Sequence, residues 1–388
     1  MDRYFEYDRL INEEDFCNFT KEQDMLKEYI DAGDCVKVFG PRNFGKTSMV
    51  KNIIARKWEA EKHKIRAVIY VDFFSIESID NISFELTKAF GQALSNKKNL
   101  FEQGMDWVKK LKNVRPVWQP ATSGDGLGEF SIRTENNEAV VDFELIFKNI
   151  HRLQKNKKIE FLIIMDEFQE IAKIKGAEAK MRGALQEFSC NIPVVILGSK
   201  QHILSEIFDR PQAPFYSWGI TLEMKYISYQ HYHNYINKRF LLAKKKIDET
   251  NARYLQDKLN RIPEAINRLC DFIARNSKST EINGTIIDNQ MKEFIDRSRS
   301  IYEENFARFR SNHRKVLLAF AKLGTVTGVS GQDFLKEVPQ VSKSGVTEIV
   351  RKLLDDSIIS RNSNDKGEWQ YQIADPFMRE YLINYKLI

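Results

Sequence analysis

The stretch VFGPRNFGKTSMVKN, residues 38–52, decides how the rest of the chain is read. It follows an apolar run, CVKVFG (35–40), and leads into a helical pattern over 46–62. Between them Gly40-Pro41-Arg42-Asn43-Phe44-Gly45-Lys46-Thr47 fits the spacing G-x-x-x-x-G-K-[ST], in the strand-to-helix context that a phosphate-binding loop requires. Gly40 and Gly45 let consecutive backbone N–H groups point inward around phosphate oxygens. The start of the following helix adds a partial positive charge. The expected cradle runs through Pro41, Arg42, Asn43 and Phe44 to Ser48. Within it Lys46 would reach the β- and γ-phosphates, and Thr47 would ligate Mg²⁺ through its hydroxyl.

A magnesium site beside such a loop needs a carboxylate on a neighbouring strand. EFLIIMDEF (160–168) supplies Asp166 and Glu167 at the carboxyl end of an apolar run. Asp166 is expected on the metal, and Glu167 is the expected general base on the attacking water. Adjacent strand residues point to opposite sides, so the pair could divide these tasks. Such a pair favours ATP hydrolysis in the additional-strand, catalytic-glutamate class of P-loop proteins. The next apolar run, PVVILG (193–198), is followed by Ser199 and Lys200, either of which could face the γ-phosphate.

Five apolar runs, adding RAVIYVDF (66–73) and GITLEM (219–224), alternate with helical patterns at 81–95, 142–155 and 178–190. That alternation predicts an α/β fold, a parallel sheet covered on both faces, with the phosphate-loop strand between the fourth and last strands. Residues 1–225 read as this core. Residues 99–141 read as an insertion and hairpin, with an Asn-Asn turn at 136–137. Residues 226–300 are helical and charged, with Pro263 opening PEAINRLCDFIARN, and form the expected lid. Residues 301–388 give three short helices and two strands about Asn364-Asp365-Lys366-Gly367, the pattern of a winged helix-turn-helix.

Bulk properties set outer limits. The 388 residues are too many for one ordinary domain, and 42% hydrophobic content with 26 Phe excludes wholesale disorder. A net charge of +6 permits nucleic-acid contact without requiring it. Cys17, Cys35, Cys190 and Cys270 are far apart and outside any CxxC, which points to thiols in a reducing cytoplasm. No apolar run reaches the ~18 residues of a spanning helix, so no membrane association is expected.

Taken together, GPRNFGKTS, IIMDEFQEI, LGSKQHILSEIFDRPQAPFY and YQIADPFMREYL resemble the prokaryotic, mainly archaeal-type P-loop ATPases related to the STAND signalling ATPases, with an AAA+-like core and a C-terminal winged helix. The resemblance spans nearly the whole chain and implies ATP and Mg²⁺ as ligands. It implies that Arg210, in IFDRPQAPFY, senses the γ-phosphate or acts as an arginine finger from a neighbouring subunit, with oligomer formation on ATP binding. It also implies a lid contact to the nucleotide at Pro263, although the usual Gly is replaced by Asn260 or Arg261, and a second-sensor role for Arg268. Relatives carry a Gly-Arg-x-x-Glu element before the first helix; this chain keeps Glu22 but lacks the Arg, and Asn18 to Thr20 are the positions left for adenine.

The winged helix leaves its use open. Its third helix, 342–356, would present Lys343, Ser344, Thr347 and Arg351 to a DNA groove, with Arg361 and Lys366 on the wing. Residues 301–388 hold 13 Lys and Arg against 11 Asp and Glu, too even a balance to separate a DNA contact from a protein contact or an internal clamp. The expected activity is slow ATP hydrolysis to ADP and phosphate that switches contact with a DNA or protein partner. Its alternatives are an initiator-like or mobile-element DNA-binding protein with ATP as ligand, and an oligomerising signalling or defence scaffold.

Overall fold

The computed structural model describes residues 3–61, 63–95, 114–119, 129–134, 143–157, 159–188, 192–199, 201–363 and 368–387. Five strands, β1 (Cys35–Phe39), β2 (Ile65–Asp72), β5 (Ile159–Asp166), β6 (Val194–Gly198) and β7 (Ile220–Glu223), form one sheet in the order β2-β5-β6-β1-β7. Every pairing in it is parallel. The phosphate-loop strand β1 therefore lies between β6 and β7, as the sequence predicts.

Parallel strands covered on both faces must be apolar throughout, because both sets of alternating side chains are buried. In β5, Leu162 and Ile164 join the hydrophobic cluster on one face, while Phe161, Ile163 and Met165 join the cluster on the other. The first face is covered by Leu26 and Ile30 of the helix Thr20–Ala32 and by Met49, Val50 and Ile54 behind the phosphate loop. The second is covered by Leu86 and Phe90, Ile146 and Ile150, and Met181 and Leu185, from three further helices. The segment after the loop is a π-helix over Ser48–Ala55 that continues as α-helix over Arg56–Glu59.

Inside the insertion, β3 (Val114–Gln119) and β4 (Glu129–Thr134) pair antiparallel. The expected Asn136-Asn137 turn does not join them: it follows β4 and lies outside the described residues. Two runs of alternating residues fix a hairpin but not which polar pair closes it.

The helical region expected as a lid holds helices Tyr229–Leu242, Glu249–Lys258, Pro263–Asn276 and Gly284–Arg297, with a two-residue parallel pair between β8 (Lys246–Ile247) and β9 (Glu281–Ile282). Ser228, Asp248 and Asn283 cap three of these helices, accepting from His231 N, Asn251 N and Ile286 N. Pro263 opens the other, where its missing N–H costs nothing. A linking helix, Arg299–Ala307, leads to the winged helix. This comprises Ser311–Leu323, Gln332–Glu337 and Lys343–Asp355, then the antiparallel strands β10 (Ile359–Ser363) and β11 (Trp369–Ile373). The turn joining them, with Lys366, lies outside the described residues. A further helix, Pro376–Tyr385, was not read from the sequence; Tyr381 is buried in it, stacked on Tyr302 at 5.6 Å. Lys258 of the lid pairs with Glu380 at 3.0 Å, and Asn260 donates to Ile373 O, so lid and winged helix are bonded to each other.

Candidate nucleotide site

At the carboxyl edge of the sheet, β1 ends in the loop Gly40–Thr47. Gly40 is required by space: a Cβ there would lie 3.0 Å from Met224 Cβ and 3.1 Å from Met224 O. Gly45 is required by conformation, with φ +82° and the Phe16 ring 2.9 Å from where its Cβ would be. Phe44 is buried and meets the ring of Tyr226 edge-on at 5.3 Å.

Lys46 is buried, and its ammonium donates to Gly40 O at 2.9 Å and Pro41 O at 2.7 Å, two carbonyls of its own loop. Burial pushes its pKa down to about 8, against the attraction of Glu167 and Asp166. Thr47 Oγ1 donates to Asp166 Oδ2 at 2.7 Å, bringing together the two oxygen ligands that the sequence assigns to Mg²⁺. Hydroxyl and carboxylate oxygens suit a hard cation. Asp166 is fixed by two more donors, Tyr70 OH at 2.9 Å and Glu167 N at 2.8 Å.

Glu167 departs from the expectation in one respect. β5 ends at Asp166, and Glu167 stands beyond it with φ +49°, in the left-handed region. It is this turn, and not strand alternation, that separates the two carboxylates. Glu167 Oε2 accepts from Ser199 Oγ at 3.1 Å and from Gln169 Nε2, which ties the ends of β5 and β6 together. Lys200 lies outside the described residues, so the residue located after β6 is Ser199.

Lys46, Thr47, Glu167 and Ser199 open on a cavity of about 340 Å³, within the roughly 300–1,000 Å³ usual for small-molecule sites, whereas Gly40, Pro41 and Asp166 do not line it. Arg42, Asn43, Phe44, Gly45, Lys46, Thr47 and Ser48 form one wall, Glu167 and Ser199 one end, and Pro263, Glu264 and Asn267 of the lid another side. The fourth side is the N-terminal segment, through Tyr7, Ile11, Phe16, Cys17 and Phe19. Of the stretch Asn18 to Thr20 only Phe19 lines the cavity, and Glu22 does not. The segment is held by its own bonds: Tyr4 N and Phe5 N donate to Asp271, Ile11 N donates to Ser48 Oγ, and Asn267 donates to Glu6 O.

Two predicted residues stand apart. Arg210 is exposed just past the helix Gln201–Phe208, with the Glu178 carboxylate in its field, and does not line the cavity. Arg268 lies over the rings of Phe294 and Phe377 at 5.3 and 5.7 Å and lines a second cavity, of about 680 Å³, between lid and winged helix. Tyr70, Gln169 and Tyr226 were missed by sequence reasoning. A Gln two residues after Glu167 was the one visible signal; Tyr70 sits in an apolar run and Tyr226 in a mixed stretch, and neither gives a sign of facing a site.

The family model of an ATPase domain predominantly from Archaea matches residues 16–210, which contain the loop, both carboxylates and Ser199. The chain belongs to this family. A model for a probable winged helix domain matches residues 300–384 of the same archaeal-type ATPase. Its fold is similar to that of a Walker-type ATPase of Pyrococcus abyssi, at TM-score 0.65 and 15% identity over 98% of this chain and 99% of that one. It is also similar to the ORC2 protein of Aeropyrum pernix, solved as ADPNP–ADP complexes, at TM-score 0.54 and 12% identity over 98% of each chain. No curated protein matches the chain. Among the described residues no helix is long and apolar enough to cross a membrane.

Proposed function

We propose that this archaeal-type ATPase is a slow switch. It binds and hydrolyses ATP, and the nucleotide state sets the position of the winged helix and thereby its contact with a DNA or protein partner. The observation that carries the reading is the joining of Thr47 to Asp166 and of Glu167 to Ser199 at the end of one cavity floored by Lys46.

On ATP entry, Lys46 exchanges the carbonyls of Gly40 and Pro41 for phosphate oxygens, and the loop N–H groups take the remaining ones. Thr47 and Asp166 would hold Mg²⁺, which when bound neutralises charge on the β- and γ-phosphates. Glu167, with Oε2 held by Ser199 and Gln169, accepts a proton from the attacking water. The water oxygen forms the new bond to phosphorus, and the bond to the leaving oxygen breaks with its electron pair passing to ADP. Pro263 and Asn267 close the cavity from the lid. Arg210, exposed and away from this cavity, fits a role toward the site of a neighbouring subunit, and so an oligomer that forms on ATP. A cytoplasmic setting and kinship with STAND signalling ATPases belong to the same reading.

A second reading, a DNA-binding protein with ATP as ligand, draws on the exposure of Lys343, Ser344, Thr347 and Arg351 on one helix face and on the similarity to ORC2. ATP turnover across protein concentration, with and without duplex DNA, and with Glu167→Gln as the blank, tests both. The switch predicts slow turnover that is lost in Glu167→Gln while ATP binding is kept. Stimulation by DNA would favour the second reading. Specific activity that rises with concentration and ignores DNA would favour Arg210 acting between subunits. Wild-type turnover by Glu167→Gln would remove Glu167 as the base.

A further inference from the structure

Tyr70 stands on strand β2, opposite Ile164 of β5 and on the face of the sheet that the segment Ser48–Ala55 covers. Its hydroxyl donates to Asp166 Oδ2 at 2.9 Å, the same oxygen that accepts from Thr47 Oγ1 at 2.7 Å. Glu167 N donates to the other oxygen, Oδ1, at 2.8 Å. A carboxylate offers about four lone-pair sites, so these donors leave one of them, on Oδ1.

The tyrosine ring is itself held in place. The Lys51 ammonium lies 3.6 Å from the ring centroid, and Lys51 stands one turn beyond Thr47 in the helical segment behind the loop. That segment therefore reaches Asp166 twice, directly through Thr47 and indirectly through Lys51 and Tyr70. Asp166 is only 4% exposed, and among the described residues no lysine or arginine is bonded to it. The ammoniums of Lys46 and Lys51 act on it through their field alone. A buried carboxylate held by uncharged donors is costly, and a cation is what offsets its charge. Tyr70 does not border the nucleotide cavity, whereas Thr47 does, so whatever Tyr70 does for the site passes through Asp166 and Thr47.

We infer that Tyr70 is a positioning residue for the divalent cation of this ATPase: it fixes how the Asp166 carboxylate is turned beside Thr47, and so sets the affinity for Mg²⁺ and not that for the nucleotide alone. The inference rests on Thr47 and Asp166 holding Mg²⁺ as proposed above. Partners that orient a metal ligand from behind typically cost about 10–100-fold in metal affinity when removed. A phenol suits the task because it donates a hydrogen bond from a rigid ring without adding a charge that would repel the cation.

The test is calorimetric titration of the full chain with ADP, in EDTA and at a series of free Mg²⁺ concentrations, for wild type and Tyr70→Phe. Wild type is expected to bind ADP more tightly as Mg²⁺ rises. Tyr70→Phe is expected to keep the affinity in EDTA within about twofold, which also reports intact folding, and to need about tenfold more Mg²⁺ for half of the gain. An unchanged Mg²⁺ midpoint would overturn the inference. So would an equal loss of ADP affinity with and without Mg²⁺, which would make Tyr70 a support of the loop and not of the metal. Wild-type ADP binding that ignores Mg²⁺ would instead overturn the assignment of Thr47 and Asp166 to the metal, and the inference with it, while leaving the loop assignment standing.

Discussion

Lys46 combines the position proposed for phosphate binding with a depressed pKa, and the two together give a testable sign. Burial holds the free ammonium near 8, and phosphate oxygens would raise it again. The bound state then carries more protons than the free state above pH 8, so ATP affinity falls as pH rises through that region, and binding at pH 8.5 takes up protons. Calorimetry in buffers of different ionisation enthalpy measures the uptake; none at pH 8.5 would contradict the assignment. Lys46→Ala is expected to weaken ATP by at least about 100-fold, ~2.7 kcal/mol, read in the same titration. Glu167→Gln should bind ATP normally and lower turnover by roughly 10²–10⁴-fold, the usual contribution of a positioned base. That Lys46, Thr47, Asp166, Glu167 and Ser199 stand at the ends of β1, β5 and β6 was legible because local spacing and strand ends mark them. The left-handed turn at Glu167 and the bond from Tyr70 to Asp166 were not, because each depends on how neighbouring strands meet in space.

At the scale of elements, the parallel sheet could be read because each buried strand is an almost unbroken apolar run. The closing helix Pro376–Tyr385 could not: it amounts to ten residues beginning with a Pro, with polar positions interrupting the pattern. Its packing on Tyr302 and its Glu380 bond to Lys258 come from contacts distant in sequence. The N-terminal segment is a similar case. Residues 3–19 carry no periodic signal, yet the segment walls the nucleotide cavity because Asp271, fully buried, accepts from Tyr4 N and Phe5 N and pairs with Arg275. Asp271→Ala strips those acceptors and is expected to cost about 2–3 kcal/mol, seen as a lower unfolding midpoint, and to weaken nucleotide through the loosened wall. An unchanged midpoint would mean that the segment is held by the packing of Phe5 alone.

Across the whole molecule, core, lid and winged helix meet around one loop. The lid reaches it through Pro263 and Asn267, the N-terminal segment through Phe16, and the winged helix through Asn362. The N-terminal segment, core and lid border the nucleotide cavity itself, and the winged helix borders a smaller cavity that shares Arg42 and Ser199 with it, so a change at the nucleotide could pass to the winged helix through those two residues. The helix Lys343–Asp355 meanwhile keeps one face exposed, ready for a partner while β10 rests against the loop. The central claim is that the nucleotide state repositions the winged helix, and hydrogen exchange of the amides of Ile359–Ser363 tests it most directly. The measurement compares the full-length Glu167→Gln protein saturated with ATP against the same protein saturated with ADP. Slower exchange in β10 with ATP than with ADP is the predicted result; equal exchange in the two states would contradict the account.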